Sequence, residues 1–180
     1  MGLRLLVLFF LLLNTASRDE VTITWNESKK LSWSDFKGNI DPNSDAVAVT
    51  ASGITFSFSV QQANGRNVSF KANAEAHFYP EQSWYLSDSG NDHILAHEQL
   101  HFDITELHVR QLRYGIAQLK VSQNINEDLG ELHQKTNADL AKMQHAYDTQ
   151  TQNSIHMERQ AIWSQFVKDE LNKFRAYKSK

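Results

Sequence analysis

The chain has 180 residues and a formal net charge of −3, with 22% charged residues that are interspersed rather than clustered. No basic patch argues for nucleic acid. Zero cysteines exclude disulfides, cysteine-ligated zinc and a thiol nucleophile.

Residues 1–16 read MGLRLLVLFFLLLNTA. Arg4 supplies a short positive start, and residues 5–13 form an apolar run of signal-peptide length, too short for a membrane span. Small residues follow at Thr15, Ala16 and Ser17, so cleavage is expected near Ala16 or Ser17. This predicts a signal peptide over residues 1–17 and a single domain over residues 18–180. It also predicts export to the periplasm or beyond, with no membrane span after cleavage. An uncleaved anchor is the alternative. A secreted eukaryotic domain of this size would often carry disulfides, so their absence points toward a bacterial exported protein.

The first half of the mature chain reads as strands. Val21, Ile23 and Trp25 share one face. Residues 31–38, LSWSDFKG, predict a short helical turn capped by Ser32 or Ser34 and stopped by Gly38. Ile54, Phe56, Phe58 and Val60 alternate with Thr55, Ser57 and Ser59. Val68, Phe70, Ala72, Ala74, Ala76 and Phe78 alternate with Ser69, Lys71, Asn73, Glu75 and His77. Asn64-Gly65 between the two runs is a hairpin signal. The pattern predicts an antiparallel sheet with one wet face, on which His77 reads as a solvated histidine.

Residues 79–92 read as a polar loop ending in Asp92, the expected N-cap of a helix running to about Lys120. That helix carries His97-Glu98-Gln99-Leu100-His101, an HExxH. Helical positions four apart lie on one face, about 6 Å apart, so two imidazoles at that spacing reach one metal ion. Glu98 lies about 100° around from His97, where a base would polarise a metal-bound water. HExxH on a helix is the zinc-hydrolase pattern for these reasons. Ile94, Leu95, Leu100, Phe102, Ile104, Leu107, Val109 and Leu112 go almost all round the helix, which predicts burial. Buried His and Glu need partners.

Asn124 with Glu127 predicts a capped second helix, along which Ile125, Leu129, Leu132, Leu140, Met143 and Tyr147 recur at helical spacing. Residues 151–154 read as a break, and a third helix is expected from Ser154 or Ile155, with Ile162, Phe166 and Phe174 as its seam. Strands followed by three helices predict an α+β fold.

The chain resembles an uncharacterised bacterial family of predicted secreted zinc-dependent proteases, a small zincin-like group. The resemblance rests on residues 31–38 (LSWSDFKG), 48–54 (AVTASGI), Ser83-Trp84 and 97–106 (HEQLHFDITE), and continues through Tyr147, Asp148 and Thr151 to Gln160 and Trp163. It implies a zincin-like metallopeptidase fold, with the HExxH on the first long helix, and a peptidase activity. The family pattern Tyr-Asp-x-x-Thr-x-His-Ser/Gly is matched at Tyr147, Asp148 and Thr151, but its His position is Asn153 here. A histidine stands three residues on, at His156.

Other candidates weigh less. His93 and His108 share the helix face of His97 and His101, but His101 to His108 spans about 10 Å along the axis. No glycine between them breaks the helix to bring His108 in, as a metzincin requires. His93 lines a cleft or packs; His133 and His145 read as surface or packing residues. Asp103 and Glu106 point about 140–160° away from the His97/His101 face. They either brace a neighbouring element or, for Glu106, pair with Arg110 four residues on.

The sequence thus predicts an exported, zincin-like zinc peptidase acting on a peptide or protein substrate, its oligomeric state open. Zinc (Zn2+) is expected on His97, His101 and a third ligand from residues 147–158, with His156 foremost and Asn153, Glu158 and Asp148 as alternatives. Glu98 is the expected general base for a metal-bound water attacking the peptide carbonyl. Tyr147 is assigned to oxyanion stabilisation, with a buried core tyrosine as the alternative. The rival is a catalytically silent, metal-stabilised binding module of the same fold, which Asn153 favours and the retained Glu98 opposes.

Overall fold

A computed structural model describes residues 20–179; the signal peptide expected over residues 1–17 lies outside them. Strands β1 (Ile23–Thr24), β3 (Ser52–Ala63) and β4 (Arg66–Phe78) form an antiparallel sheet in the order β1-β4-β3. β2 (Ala48–Val49) pairs with β5 (Trp84–Tyr85) apart from it. Three helices follow: α1 (Asp92–Gln118), α2 (Ile125–Thr151) and α3 (Met157–Lys173). The α+β order read from the periodicities is the order observed.

The β3–β4 hairpin closes at Asn64-Gly65, with φ of 50° and 72°. Two left-handed residues give the turn whose twist matches the strands it joins. The ladder pairs Ile54 with Ala76 and Phe56 with Ala74. Ile54, Phe56 and Phe58 of β3 thus each meet an alanine of β4, which lets α1 lie close beneath β4. Arg113 on α1 seals the contact, its Nη2 donating to the Ala74 carbonyl at 2.6 Å.

α1 is the wall shared by two cores. On one side Trp25, Leu31, Phe36, Ala76, Phe78, Phe102, Val109 and Leu112 pack between helix and sheet. On the other, Leu100, Ile104, Leu140, Tyr147 and Val167 pack among the three helices. Each fully buried aliphatic side chain contributes about 1.5–3 kcal/mol, so a helix apolar nearly all round needs both cores. Its polar residues find partners. Glu106 is fully buried and accepts from Arg110 Nε at 2.8 Å and from Ser179 Oγ at 2.8 Å, which fastens the C-terminal tail to α1. Asp103 accepts from Trp25 Nε1 at 2.7 Å and from Gln99 Nε2 at 2.9 Å. Both carboxylates therefore serve structure, turned away from the His97/His101 face.

Several boundaries differ from the sequence reading. Asn91, not Asp92, caps α1: its side chain accepts from the backbone N–H groups of His93 and Ile94. The turn over residues 31–38 shortens to a 3-10 turn, Trp33–Asp35. Gly38 lies so close to the neighbouring chain that a Cβ there would sit 2.8 Å from the Glu81 carbonyl oxygen. The Asn124 side chain makes no cap bond. α3 begins at Met157 because Gln152, Asn153 and Ser154 all adopt left-handed backbone, with φ of 47°, 50° and 75°. His77 is buried rather than solvated, its Nδ1 3.1 Å from Thr22 Oγ1 and its Nε2 3.3 Å from Glu75.

His108 is buried, and its Nδ1–H donates to the Ile104 carbonyl at 2.8 Å. Burial pushes its pKa below the ordinary histidine value of 6.5, against smaller upward pulls from that carbonyl and from Asp139. Its folded pKa lies below its unfolded value, so the unfolded chain binds the extra proton first. Stability is expected to fall as pH drops below about 6.5, and to level off once the folded imidazole also titrates. Urea unfolding of wild type and His108→Leu from pH 7.5 to 5.5 checks this: the variant should lose that component of the pH slope. Parallel slopes for the two proteins would refute it.

Candidate functional site

The geometry of α1 sets the pair. His97 and His101 stand one turn apart, their ring centroids 4.9 Å apart and their planes at 77°. Their Nε2 atoms approach to 3.2 Å. α2 crosses this face and delivers Asp148, whose Oδ1 lies 2.8 Å from His101 Nε2 and 3.2 Å from His97 Nε2. One atom from each of three side chains thus converges on one point, and among the described residues this is the group of His, Asp and Glu that could hold a metal ion.

The surroundings prepare these atoms for a cation. His101 Nδ1–H donates to Gln144 Oε1, which turns Nε2 toward the shared focus. Gln144 is itself fixed, its Nε2 donating to the His101 carbonyl at 3.0 Å and to Thr105 Oγ1 at 3.3 Å. Burial opposes ionisation of Asp148, but hydrogen bonds from His101 and His97 and their charge overcome it and hold the carboxyl well below the usual carboxylate range. Burial likewise opposes protonation of His101. The hydrogen bond and charge of Asp148, with the charge of Glu98, overcome that too and raise its pKa. Tetrahedral ligands about 2.0–2.1 Å from zinc lie roughly 3.3 Å from one another. The observed separations of 3.2, 3.2 and 2.8 Å lie within about half an ångström of that edge, so the donor set fits.

The triad opens into a cleft of about 760 Å³ lined by residues 44–50, His93, Ile94, Glu98 and residues 152–155. Glu98 is buried in its wall, while its backbone carbonyl accepts from Thr50 Oγ1 at 3.3 Å. A larger cavity, about 1090 Å³, lies on the other side of α1 among Trp25, Arg110 and Lys168. The functional reading belongs to the smaller cleft, because the convergent imidazoles and carboxylate are there.

The remaining candidates fall outside the focus. His156 is exposed and caps α3, its backbone N–H donating to the Thr151 carbonyl at 2.8 Å. It lines neither the cleft nor the triad. The expectation for His156 required helical spacing from Asn153 onward. The three left-handed residues 152–154 break that spacing, leaving Asn153 at the cleft rim and sending His156 outward. Glu158, one residue into α3, is exposed as well. Asp148, an alternative ligand in the sequence reading, is the side chain that joins the histidines. Tyr147 is fully buried, stacked on His97 at 4.4 Å and against Trp163 at 5.6 Å. Burial and the charges of Glu98 and Asp148 push its pKa far up, so it stays a neutral phenol. It does not line the cleft, and its hydroxyl, like His97 Nδ1, is buried without a hydrogen-bond partner among the described residues.

Gln144 escaped the sequence reading, and Gln160 entered it only as part of the family resemblance, without a role. Gln144 lies four residues before Asp148, one turn along the same face of α2, and that spacing could have marked it. Gln160 donates to the His93 carbonyl at 3.0 Å, while His93 Nε2 lies 2.7 Å from the Ser154 carbonyl oxygen. Together they pin the turn at residues 152–154 against α1.

Among the described residues no helix is long and apolar enough to cross a membrane. Searches of curated proteins and of solved structures found no match. One family model matches residues 30–157; its description reads "Bacterial protein of unknown function (DUF922)".

Proposed function

The chain belongs to the DUF922 family, and we propose that it is an exported zinc-dependent peptidase with a zincin-like fold. The observation that carries this reading is the meeting of His97, His101 and Asp148 at one point, with Glu98 in the wall of the same cleft. Two imidazoles and one carboxylate suit zinc, and three protein ligands leave a fourth position open, as a catalytic site requires. Zinc bound there supplies Lewis acidity, lowering the pKa of a water and polarising a carbonyl.

The chain's own residues do the rest. Gln144 holds the His101 tautomer, and Tyr147 holds the plane of His97 by stacking. Glu98 accepts the proton of the attacking water and returns it to the leaving amine. The substrate is a peptide or protein segment entering between residues 44–50 and the turn at 152–155. Export rests on the apolar run at residues 5–13 and the small residues after it.

A metal-stabilised binding module of the same fold is the second reading. The buried position of Tyr147 favours it, since that phenol does not reach the cleft to support an oxyanion.

Elemental analysis of protein purified without chelator is expected to find one zinc per chain. Protein that arrives without metal and takes up none from buffered zinc would overturn both readings. The intact mass of the same preparation should place the N-terminus near Ser17 or Arg18; a retained Met1 would remove the export part alone.

A further inference from the structure

β3 is the outermost strand of its sheet, and among the described residues its far edge meets no other strand. Along such an edge every second residue points its backbone N–H and C=O outward. Outside the β3–β4 ladder, no backbone hydrogen bond among the described residues involves residues 53–63. Folded proteins guard such edges with a lysine, a proline, a bulge or extreme shortness, because the open row of donors and acceptors templates another strand. β3 reads SGITFSFSVQQA over 12 residues, with no charge and no proline; its single register shift comes late, at Gln61/Gln62. The inner strand β4, which needs no guard on the side facing β3, carries Arg66, Lys71 and Glu75.

The two faces of β3 differ. Thr55, Ser57 and Ser59 are exposed on the wet face. On the other, Ile54 and Phe56 pack against the core, while Phe58 extends beyond it and remains 41% exposed.

We propose that the outer edge of β3 is a self-pairing surface, on which a second copy of this chain adds its own β3 antiparallel and doubles the sheet. A two-fold axis perpendicular to the sheet keeps wet face with wet face and apolar face with apolar face. Directly opposed residues of antiparallel strands point the same way, so the axis lies midway between a residue such as Ser57 or Phe58 and its own copy. With the axis at Phe58, Ser57 opposes Ser59, Phe58 covers its own copy and Val60 covers Phe56. An uncharged strand meets no like charge in any of these registers, so an identical strand is acceptable throughout. No charge on this edge selects a differently charged partner. The cleft is lined by residues 44–50 and by no residue of β3, so pairing leaves the candidate metal site open and stands independently of the peptidase reading.

Sedimentation velocity on the mature wild-type chain, from low to high micromolar concentration, tests the inference. Wild type is expected to dimerise. Ser59→Lys places the guard that the edge lacks, on the wet face and away from the core. It should raise the dimer dissociation constant about tenfold or more, through like charges meeting near the axis. Its circular dichroism and zinc content should match wild type. Ser57→Lys, at the other exposed hydroxyl beside the axis, should behave the same way and covers the case in which Ser59→Lys fails to fold. A wild-type chain that stays monomeric throughout the range overturns the proposal. So does a dimer that persists in both variants, since the copies would then meet elsewhere.

Discussion

Glu98→Gln is expected to keep its zinc and lose about 10²–10⁴-fold in peptide hydrolysis, the span that a positioned general base contributes. The substitution preserves shape. The amide fills the same place in the cleft wall, where Glu98 is only 4% exposed. It removes the negative charge and the proton-accepting oxygen. Glu98 is not one of the three side chains at the focus, so zinc content should not change. The measurement is a peptide-library cleavage assay, with kcat and KM determined separately on the best substrate. The loss should fall on kcat, because Glu98 acts on the water and not on the peptide. A variant as fast as wild type would end the assignment of Glu98 as base. A wild-type protein that holds zinc and cleaves nothing in the library would transfer the site to the binding-module reading.

Legibility in the sequence followed the range of the interactions involved. The hairpin and the three helices were readable because period-2 and period-3.6 patterns are local, and Asn64-Gly65 names its own turn. His97, Glu98 and His101 were readable as a group because one helical turn brings i and i+4 together whatever the rest of the chain does. Asp148 was readable only as one of several candidates, because its place at the focus depends on how α2 crosses α1. That crossing is set by Ile104, Leu140 and Tyr147 meeting in the second core. The structure keeps His156 away from the focus for a local reason that composition hides. Gln152, Asn153 and Ser154 carry no glycine to announce a left-handed run, yet all three adopt one. Glu106 was half legible. Its pairing with Arg110 follows from i,i+4 spacing, but its bonds to Ser179 join residues 73 positions apart. β2 and β5, of two residues each, are too short to show a period.

Asp148→Ala is expected to lower zinc affinity by more than about 100-fold, beyond the 10–100-fold typical of residues that only orient ligands. His156→Ala should leave affinity unchanged. The contrast follows from position: Asp148 Oδ1 lies within 3.2 Å of both Nε2 atoms, whereas His156 is exposed at the start of α3. Asp148 is also held as an anion by the imidazoles it faces, so it offers a charged oxygen at neutral pH without giving up a proton. Asn keeps the shape of Asp but presents a neutral oxygen, so Asp148→Asn should lose nearly as much affinity as Asp148→Ala. This separates charge from packing. Affinity is read by competition with a chromophoric chelator, and thermal unfolding in excess chelator is measured alongside. A purely structural role for Asp148 would lower the unfolding temperature in chelator and leave the zinc competition curve where it was. If His156→Ala instead weakens zinc as much as Asp148→Ala does, the third ligand returns to His156, and the turn at residues 152–154 must rearrange when zinc binds.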